Sequence, residues 1–498
     1  MAKDYDVIII GGGAVGCMVA RYLSRYKLDI LLIEKESDIG MGTSSANSAI
    51  MHAGYDALPG TLKAKTNAIS APLWDDLSRE LGIPFSRCGD YVVATAPDQF
   101  ETLDILRQQG LQNCVPELQI ISAEELRARE PMVSPDALAA LWVPSGGILD
   151  TFAVTVAAAE NAVMNGVTVM LETPFVDFLW EGRRIIGVKA PGSDYHGRWV
   201  VNAAGLYADD VMHKAGVRPE FVIRPRRGEY VILDEADFNL TRQAVFFPTP
   251  TDKGKGIVVT SSMHGNTIVG PNSNFVDSKE DKTFTQAGFN EIWEGARKII
   301  PGINRRNIIA QFAGLRAHGN AACLTPGVNY SGDFVIEIPA EVQGLVNLGG
   351  IESPGLTASP GIALMVIDLL KQAGEPLQKK PYWNPVRPAR PVFRHLSKVE
   401  QAALVASDPG YGRIICRCET VTEGEILAEI HAPIPARTYD AIKRRTWTGT
   451  GRCQGGFDMP RVVKMLSDEL GIPPEQVTKK GSGSPYLYRH TKDLEEAA

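Results

Sequence analysis

Three cysteines and one aspartate near the end of the chain have residue types and spacings that suit metal chemistry. Cys416 and Cys418 are one residue apart in IICRCET, and Cys453 precedes Asp458 in RCQGGFDMP. Thiolates are soft ligands that match iron–sulfur clusters, whereas a carboxylate oxygen is a harder ligand that is still anionic. These residues alone leave three interpretations open: a working metal site, an altered metal site, or the remnant of a site that no longer binds metal.

A glycine-rich turn near the start of the chain could bind a dinucleotide. The apolar run YDVIII (5–10) has the length of a buried strand and is followed by a pattern typical of a helix. Gly11 allows a tight turn, Gly13 lets the backbone approach a pyrophosphate, and Gly16 lets the helix pack closely on the strand. The start of that helix then faces the phosphates.

A second apolar strand, DILLIEKE (29–36), carries an acid at the distance from the glycines that suits a ribose. Glu34 can accept hydrogen bonds from ribose hydroxyls, which favours a ribose without a 2′-phosphate. The next stretch, DIGMGTSSANSAIMHAGYDA (38–57), offers small and hydroxyl side chains for a second phosphate and an isoalloxazine ring. A plain NAD domain has no need for such a loop, so the pattern favours FAD. The sequence has no second glycine motif after a strand, so we expect electrons to enter from a small substrate.

Composition and charge limit the class of protein. The chain has 498 residues, 44% hydrophobic and 22% charged, which predicts a globular protein of two or three domains. A net charge of −7 without a basic tract argues against nucleic acid as a partner. No apolar run of about 18 residues predicts a membrane span. We therefore expect a cytoplasmic protein, either free or peripheral to a membrane.

These motifs and two later segments resemble the glycine/D-amino-acid oxidase superfamily of flavoproteins. The resemblance is closest to its glycerol-3-phosphate dehydrogenase and L-2-hydroxyglutarate dehydrogenase branches, which share a TSxxNS…HAG segment. The later segments are WVVNAAGLYAD (199–209) and GLVNLGGIESPGLTASPGIALMVIDLL (344–370). The resemblance implies that the cofactor is FAD, bound by Gly11, Gly13, Ala14, Val15, Gly16, Glu34, Lys35, Thr43, Ser44, Asn47, Ser48, Val176, Ala204, Gly205, Gly350, Gly355, Leu356 and Thr357.

The predicted fold class is α/β. A Rossmann-like FAD-binding domain is expected to be interleaved with a mostly antiparallel β-sheet substrate domain, followed by a small C-terminal α-rich domain. The FAD-binding domain would comprise 1–84, 145–219 and 305–375, and the substrate domain 85–144 and 220–304. A Pro-rich linker (376–410), a 2Fe-2S-type domain (411–472) and a tail (473–498) would complete the chain.

Several polar residues between the flavin segments could bind and oxidise a substrate. Arg316, in FAGLRAHGN, resembles the family's AGLRP arginine that reaches the substrate anion, although Ala317 replaces the proline. An arginine fork suits a carboxylate or phosphate. The candidate catalytic residues are His52, Arg316 and His264, and the candidate substrate-binding residues are Arg316, Tyr230, Arg227 and Lys63.

The resemblance implies a dehydrogenase that oxidises a small anionic secondary alcohol by hydride transfer to flavin N5. The first candidate substrate is sn-glycerol 3-phosphate, giving dihydroxyacetone phosphate, and the second is L-2-hydroxyglutarate. An amine or opine oxidase and an electron-transfer flavoprotein subunit of a larger complex stay open as alternatives. The sequence does not choose between them.

The C-terminal cysteine segment resembles a bacterioferritin-associated-ferredoxin-like 2Fe-2S domain. That family has CxC, about 34 residues, then CxxxxC, and this chain has Asp458 at the fourth position. The resemblance implies that Cys416, Cys418, Cys453 and Asp458 hold a 2Fe-2S cluster, or that a domain kept for packing has lost it. A cluster would pass electrons from the flavin to an acceptor protein or a quinone.

Overall fold

The computed structural model describes residues 4–218, 221–234, 244–250, 254–321 and 332–489. The strands are β1 (Tyr5–Ile10), β2 (Ile30–Ile33), β3 (Ile50–Met51), β4 (Phe85–Ser86), β5 (Asp90–Ala94), β6 (Gln119–Ser122), β7 (Ala139–Val143), β8 (Gly147–Leu149), β9 (Thr168–Met170), β10 (Asp177–Glu181), β11 (Arg184–Ala190), β12 (Ser193–Asn202), β13 (Phe221–Leu233), β14 (Val245–Pro248), β15 (Val259–Ser261), β16 (Thr267–Val269), β17 (Asn274–Phe275), β18 (Ile308–Ala321), β19 (Val335–Glu337), β20 (Leu345–Gly349), β21 (Ile414–Cys416) and β22 (Val421–Thr422).

The helices alternate with these strands in the first part of the chain and predominate in the last. They are α1 (Ala14–Leu23), α2 (Leu62–Ser70), α3 (Trp74–Leu81), α4 (Gln99–Gln112), α5 (Ala123–Arg129), α6 (Thr151–Met164), α7 (Ala208–Lys214), α8 (Gln286–Ile299), α9 (Gly355–Gln372), α10 (Lys398–Ser407), α11 (Glu423–Ile430), α12 (Tyr439–Thr446) and α13 (Met459–Leu470). None of the helices in the described part of the chain is long and apolar enough to cross a bilayer. The cytoplasmic location stays a prediction.

The first sheet has a parallel centre that is buried on both faces. β9, β2, β1, β12 and β20 pair in parallel, and β10, β11 and β19 add antiparallel edges. In β1, Val7 and Ile9 pack into the core beneath α1, α6 and α9, while Ile8 and Ile10 pack into the core on the α7 side. Burial on both faces explains why YDVIII is a continuous apolar run.

The second sheet is mostly antiparallel and is covered by α8. Its strand order is β17-β13-β16-β15-β14-β5-β7-β6, with β18 paired along the length of β13. The predicted α/β fold class, with a mostly antiparallel second sheet, is confirmed. The predicted domain boundary at 305 assigns β18 to the FAD-binding domain, whereas its hydrogen bonds join it to β13 in the second sheet.

The C-terminal unit is a small helical body with its own core. β21 and β22 form a short hairpin, and α11, α12 and α13 pack around a cluster that includes Ile426, Ile442 and Leu466. A capping box formed by Thr422 and Glu425 begins α11. The segment predicted as a Pro-rich linker lies along the first domain and contains α10. The end of the predicted tail, 490–498, lies outside the described residues.

A buried ion pair fastens the C-terminal unit to the flavin domain. Asp38 follows β2 and accepts hydrogen bonds from Arg444 at 2.6 Å and from Arg445 at 2.7 and 2.8 Å. The Asp38 and Arg445 side chains are each 1% exposed. Burial would raise the pKa of Asp38, but Arg445 and Arg444 outweigh it and lower the pKa to about 2. The carboxylate is therefore charged at neutral pH.

Replacing Asp38 by asparagine should weaken this attachment. Removing one partner of a buried ion pair leaves the other charge uncompensated, at a cost of about 3–5 kcal/mol. We expect the Asp38→Asn variant to be cleaved faster between the domains in limited proteolysis. The control Asp76→Asn breaks an ion pair whose side chains are 77% and 70% exposed and should be cleaved like the unmodified protein. Equal cleavage of both variants would contradict this role of Asp38.

Candidate active site

A cavity of about 690 Å³ lies where the carboxyl ends of the parallel strands meet the second sheet. Its lining combines residues that follow β1, β2 and β12 with residues of β13 and β18. Open α/β sheets bind ligands at the carboxyl ends of their strands. The volume is within the range of about 300–1,000 Å³ typical of small-molecule sites.

The glycine turn after β1 has the close contacts that its sequence predicts. Gly11 has a φ of +105°, and a Cβ there would lie 2.6 Å from the carbonyl oxygen of Ala203. A Cβ at Gly16 would lie 2.0 Å from the carbonyl oxygen of Gly11, so this glycine sets the packing of α1. The N–H of Ala14 donates to Ser44 Oγ at 2.9 Å, which joins the turn to the hydroxyl-rich loop.

The acid after β2 is held at the cavity by backbone hydrogen bonds. Gly12 N donates to Glu34 Oε2 at 2.6 Å, and Glu36 N donates to Oε1 at 3.0 Å. Burial raises the pKa of Glu34, while these hydrogen bonds oppose the rise. The carboxylate is thus oriented toward the space where a ribose would lie.

Most of the predicted cofactor residues line this cavity. Those in its lining are Gly11, Gly13, Ala14, Val15, Glu34, Lys35, Thr43, Ser44, Asn47, Ser48, Val176, Ala204, Gly205, Gly355 and Leu356. Gly16, Gly350 and Thr357 are not among the lining residues. Thr357 instead accepts a hydrogen bond from His52 N at 3.0 Å through its hydroxyl and thereby supports the flavin loop.

Arg316 is a half-buried cation that has no carboxylate partner in the described part of the chain. It lies on β18 and donates from Nη2 to the carbonyl oxygen of Asn272 at 3.2 Å, while its buried Nη1 has no hydrogen-bond partner among the described residues. Burial lowers its pKa, and the neighbouring Tyr230 opposes this. Among the described residues no carboxylate lies within ion-pair distance of it. A Cβ at Gly228 would lie 2.8 Å from Arg316 Nη2, so a glycine is needed beside it.

Lys63 and Arg226 lie beside this arginine and share one carboxylate. Glu352 accepts from Lys63 Nζ at 2.9 Å and from Arg226 Nη2 at 2.8 Å, and lies 3.1 Å from His318 Nδ1. Burial alone would raise the pKa of Glu352, but Lys63, His318 and Arg226 outweigh it and hold the pKa well below its usual range. Glu352 therefore stays ionised and compensates one of the three positive charges carried by Lys63, Arg226 and Arg316.

His52 is a neutral imidazole at the other side of the cavity. Its Nε2 lies 3.0 Å from Ser353 Oγ, just ahead of α9. Burial, and then the charge of Lys255, lower the pKa of His52 to about 3. Lys255 itself forms an ion pair with Asp56. At neutral pH the ring is an uncharged base.

Two of the predicted catalytic and substrate-binding residues do not line the cavity. Arg227 pairs with Asp281 at 2.8 Å, on the other face of β13 from Arg226. His264 lies at the joint with the C-terminal unit, where its Nε2 is 3.1 Å from Asp150 Oδ2 and its ring is 3.7 Å from that of Trp447. The structure therefore brings together His52, Arg316, Tyr230 and Lys63 among the predicted substrate-side residues.

Sequence reasoning missed Lys255, Glu352 and Ser353, all of which line the cavity. Lys255 lies in KGKG between β14 and β15, where flanking glycines let the backbone approach a ligand. Glu352 and Ser353 lie in GGIESPG, directly before the glycine that begins α9. For Glu352, the sequence signal was a charged residue inside a segment predicted to contact the flavin.

The C-terminal thiols and Asp458 form two pairs. Burial, and then the neighbouring Asp458, raise the pKa of Cys416 to about 12. A backbone hydrogen bond from Cys453 lowers the pKa of Cys418, but burial and the Cys453 thiol outweigh it, so the pKa is raised. Among the described residues no group of three or more His, Cys, Asp or Glu side chains could hold a single metal ion. Two pairs match the need of a two-iron cluster, which takes two ligands on each iron.

Two family comparisons agree with this division of the chain. Residues 6–369 match the family described as "FAD dependent oxidoreductase". The chain belongs to this family of FAD-dependent oxidoreductases. Residues 414–466 match the "BFD-like [2Fe-2S] binding domain". Both resemblances drawn from the sequence are confirmed.

Individual relatives narrow the branch of the family. The chain is 44% identical over 490 residues to a glycerol 3-phosphate dehydrogenase of Caloramator mitchellensis, covering 98% of this chain and 99% of that one. It is 28% identical over 423 residues to human mitochondrial L-2-hydroxyglutarate dehydrogenase, covering 75% and 90% of the two chains. The solved structure of FAD-bound L-α-glycerophosphate oxidase from Mycoplasma pneumoniae is 31% identical, with a TM-score of 0.71 over 78% of this chain and 99% of that one.

The residues of this FAD-dependent oxidoreductase fit its cofactor. The turn at Gly11 and the start of α1 suit a pyrophosphate, and Glu34 suits the ribose. The N-terminus of α9, at Gly355 and Leu356, lies at the cavity, where the positive end of the helix dipole favours an anionic reduced flavin.

Replacing Gly11 by alanine should abolish FAD binding, because the added Cβ would collide with the Ala203 carbonyl that lies 2.6 Å away. The control Gly374→Ala carries a similar backbone penalty, with a φ of +85°, but its Cβ would meet no atom within 4 Å. The ratio of flavin to protein absorbance after purification measures the difference. A flavin content in Gly11→Ala equal to that of the control would contradict this role for the turn.

Proposed function

We propose that the protein oxidises sn-glycerol 3-phosphate to dihydroxyacetone phosphate. The observation that carries this proposal is the guanidinium of Arg316, whose buried Nη1 has no hydrogen-bond partner among the residues that the structure describes. Arg226 lies directly opposite it in the β13–β18 pairing, and like charges opposite each other are unfavourable unless an anion lies between them. The surplus of positive charge over Glu352 suits a phosphate dianion. The relatives that carry this activity in their names support the choice.

His52 is the residue we assign as general base. Its Nε2, which lies 3.0 Å from the Ser353 hydroxyl, would take the proton of the substrate hydroxyl. Arg316, together with Lys63 and Arg226, would hold the phosphate and thereby orient the carbon that is oxidised. When bound, FAD supplies the hydride acceptor at N5. Burial and the charge of Lys255 lower the pKa of His52 and keep the ring neutral until the substrate binds, although Asp56 opposes this shift.

L-2-Hydroxyglutarate is the second candidate substrate. It also carries two negative charges, and its dehydrogenase is a relative of this chain over 75% of its length. Its charges lie on two separate carboxylates, so the second would have to lie away from the cluster around Arg316. The cationic cluster of Lys63, Arg226 and Arg316 therefore favours the phosphate.

The C-terminal unit would contain the electron exit, the site through which electrons leave the flavin for an external acceptor. Cys416, Cys418, Cys453 and Asp458 would hold a 2Fe-2S cluster, which would supply one-electron transfer chemistry. This favours a dehydrogenase that passes electrons to an acceptor protein or a quinone. Iron and labile sulfide in protein purified without oxygen would support the cluster, and their absence would contradict it.

Replacing Arg316 by alanine should raise the KM for glycerol 3-phosphate by about 30-fold or more, since truncating one partner of a buried charge pair costs about 2–5 kcal/mol. The matched control is Arg227→Ala on the paired strand β13, because Arg227 pairs with Asp281 outside the cavity lining. Bleaching of the flavin band under anaerobic conditions measures both. An unchanged KM in Arg316→Ala, with FAD bound, would remove this residue from the substrate site.

The pH dependence of flavin reduction should reflect the low pKa of His52. Because a base works in its unprotonated form, a pKa of about 3 keeps His52 active as the pH falls. At saturating substrate we expect a level rate from about pH 8 to pH 5, whereas an ordinary histidine would lose half of it near pH 6.5. Since the charge of Lys255 lowers this pKa, Lys255→Met should move the acid limb upward. A wild-type limb centred near pH 6.5 would contradict the assignment.

A further inference from the structure

Tyr439 connects two elements of the C-terminal unit through one hydrogen bond. It is the first residue of α12, and its hydroxyl donates to Asp458 Oδ1, at the start of α13, over 2.5 Å. Both residues are buried, Tyr439 at 5% and Asp458 at 1% exposure. A tyrosine hydroxyl keeps its proton at neutral pH and is therefore a lasting donor.

Within the described residues, the second oxygen of Asp458 has no partner at hydrogen-bond geometry. Oδ2 is buried, and the carboxylate interacts with the Cys416 thiol beside it. Asp458 occupies the N-cap position of α13, yet its side chain makes no cap hydrogen bond. An aspartate at an N-cap usually binds the free N–H groups of the first turn. This carboxylate is instead held away from them, at the cost of one buried and unsatisfied oxygen.

Two glycines make room for the Tyr439 hydroxyl. A Cβ at Gly449 would lie 2.3 Å from Tyr439 Oη, and a Cβ at Gly455 would lie 2.5 Å from it. These glycines belong to TGTG and CQGG, the loop that also carries Cys453. The loop thus admits the hydroxyl to a position where it reaches Asp458.

We propose that Tyr439 is a positioning residue for an oxygen ligand: it occupies Asp458 Oδ1 so that Oδ2 is presented, beside Cys416, as the fourth ligand of a 2Fe-2S cluster. This inference rests on the proposed electron exit. A carboxylate ligand bound through one oxygen needs its other oxygen fixed, and hydrogen-bond partners of ligands commonly do this. The four ligands would then form two pairs, Cys416 with Asp458 and Cys418 with Cys453.

The experiment compares four full-length variants purified without oxygen: Tyr439→Phe, Asp458→Cys, the double variant, and Tyr486→Phe. The ring of Tyr486 packs edge-on against Tyr439 at 5.4 Å, so its variant removes a neighbouring hydroxyl and leaves the Tyr439–Asp458 hydrogen bond in place. Loss of iron to a chelator, iron and sulfide content, and the EPR spectrum after reduction are the readouts. Flavin reduction by glycerol 3-phosphate is measured in the same samples as a test of the proposed catalytic function.

We expect Tyr439→Phe to lose iron about 10- to 100-fold faster than the unmodified protein, the usual effect of removing a hydrogen-bond partner of a ligand. Tyr486→Phe should lose iron at the unmodified rate. Asp458→Cys should keep the cluster with a changed EPR spectrum, because an oxygen ligand has become a thiolate. In that background Tyr439→Phe should have no further effect, since the hydroxyl acts only through the carboxylate.

Three results would overturn the proposal. An unmodified protein without iron would do so, as would an Asp458→Cys spectrum identical to that of the unmodified protein. The third is that Tyr439→Phe accelerates iron loss in the Asp458→Cys background as much as it does in the unmodified protein. The last would mean that the hydroxyl supports the fold alone. Flavin reduction by glycerol 3-phosphate precedes any transfer to a cluster, so its failure would instead count against the proposed catalytic function.

Discussion

The substrate side of the cavity depends on the guanidinium of Arg316, whose Nη1 is buried and which has no ion-pair partner in the described part of the chain. A buried charge without a counter-ion is expensive, and β18 sets this one directly opposite Arg226. Glu352 compensates only part of the charge that these arginines and Lys63 bring. A structure of this kind is completed by an anionic ligand, which supplies the missing charge and hydrogen bonds together. The same constraint explains Gly228, because a side chain there would displace the guanidinium.

The parts that were predictable from sequence are those with local causes. The run YDVIII, the turn at Gly11 and the helix after it follow from strand length, backbone freedom and helical pattern within a short stretch of chain. The helical pattern of MPRVVKMLSDEL likewise accounts for α13, Met459–Leu470, from neighbouring residues alone. Predicting these elements requires no information about contacts with distant segments of the chain.

What could not be predicted is the choice between neighbouring side chains. Arg226 and Arg227 are adjacent on β13 and face opposite sides of the sheet, so only the register with β18 decides which one faces the cavity. His264 is a residue type that often acts as an acid or base in catalysis. The packing of the C-terminal unit nevertheless places it between Asp150 and Arg394. Both outcomes depend on contacts between segments far apart in sequence.

The C-terminal unit is attached by charges that hold it close to the flavin loop. Asp38, which binds Arg444 and Arg445, follows the strand that carries Glu34. Asp150, which accepts a hydrogen bond from the Trp447 indole, follows β8, the strand paired with β3 of the flavin segment. Two residues beyond Trp447, Gly449 N donates to Cys416 Sγ at 3.5 Å. Short connections therefore link the flavin loop to the thiols.

The central claim is that the cationic cluster around Arg316 selects a phosphorylated secondary alcohol. It is tested most directly by anaerobic titration of the FAD-loaded protein with sn-glycerol 3-phosphate, L-2-hydroxyglutarate and uncharged glycerol, followed at the flavin absorption band. The account predicts full bleaching by glycerol 3-phosphate at concentrations where the other two leave the flavin oxidised. Bleaching by L-2-hydroxyglutarate alone, or equal bleaching by glycerol, would contradict it.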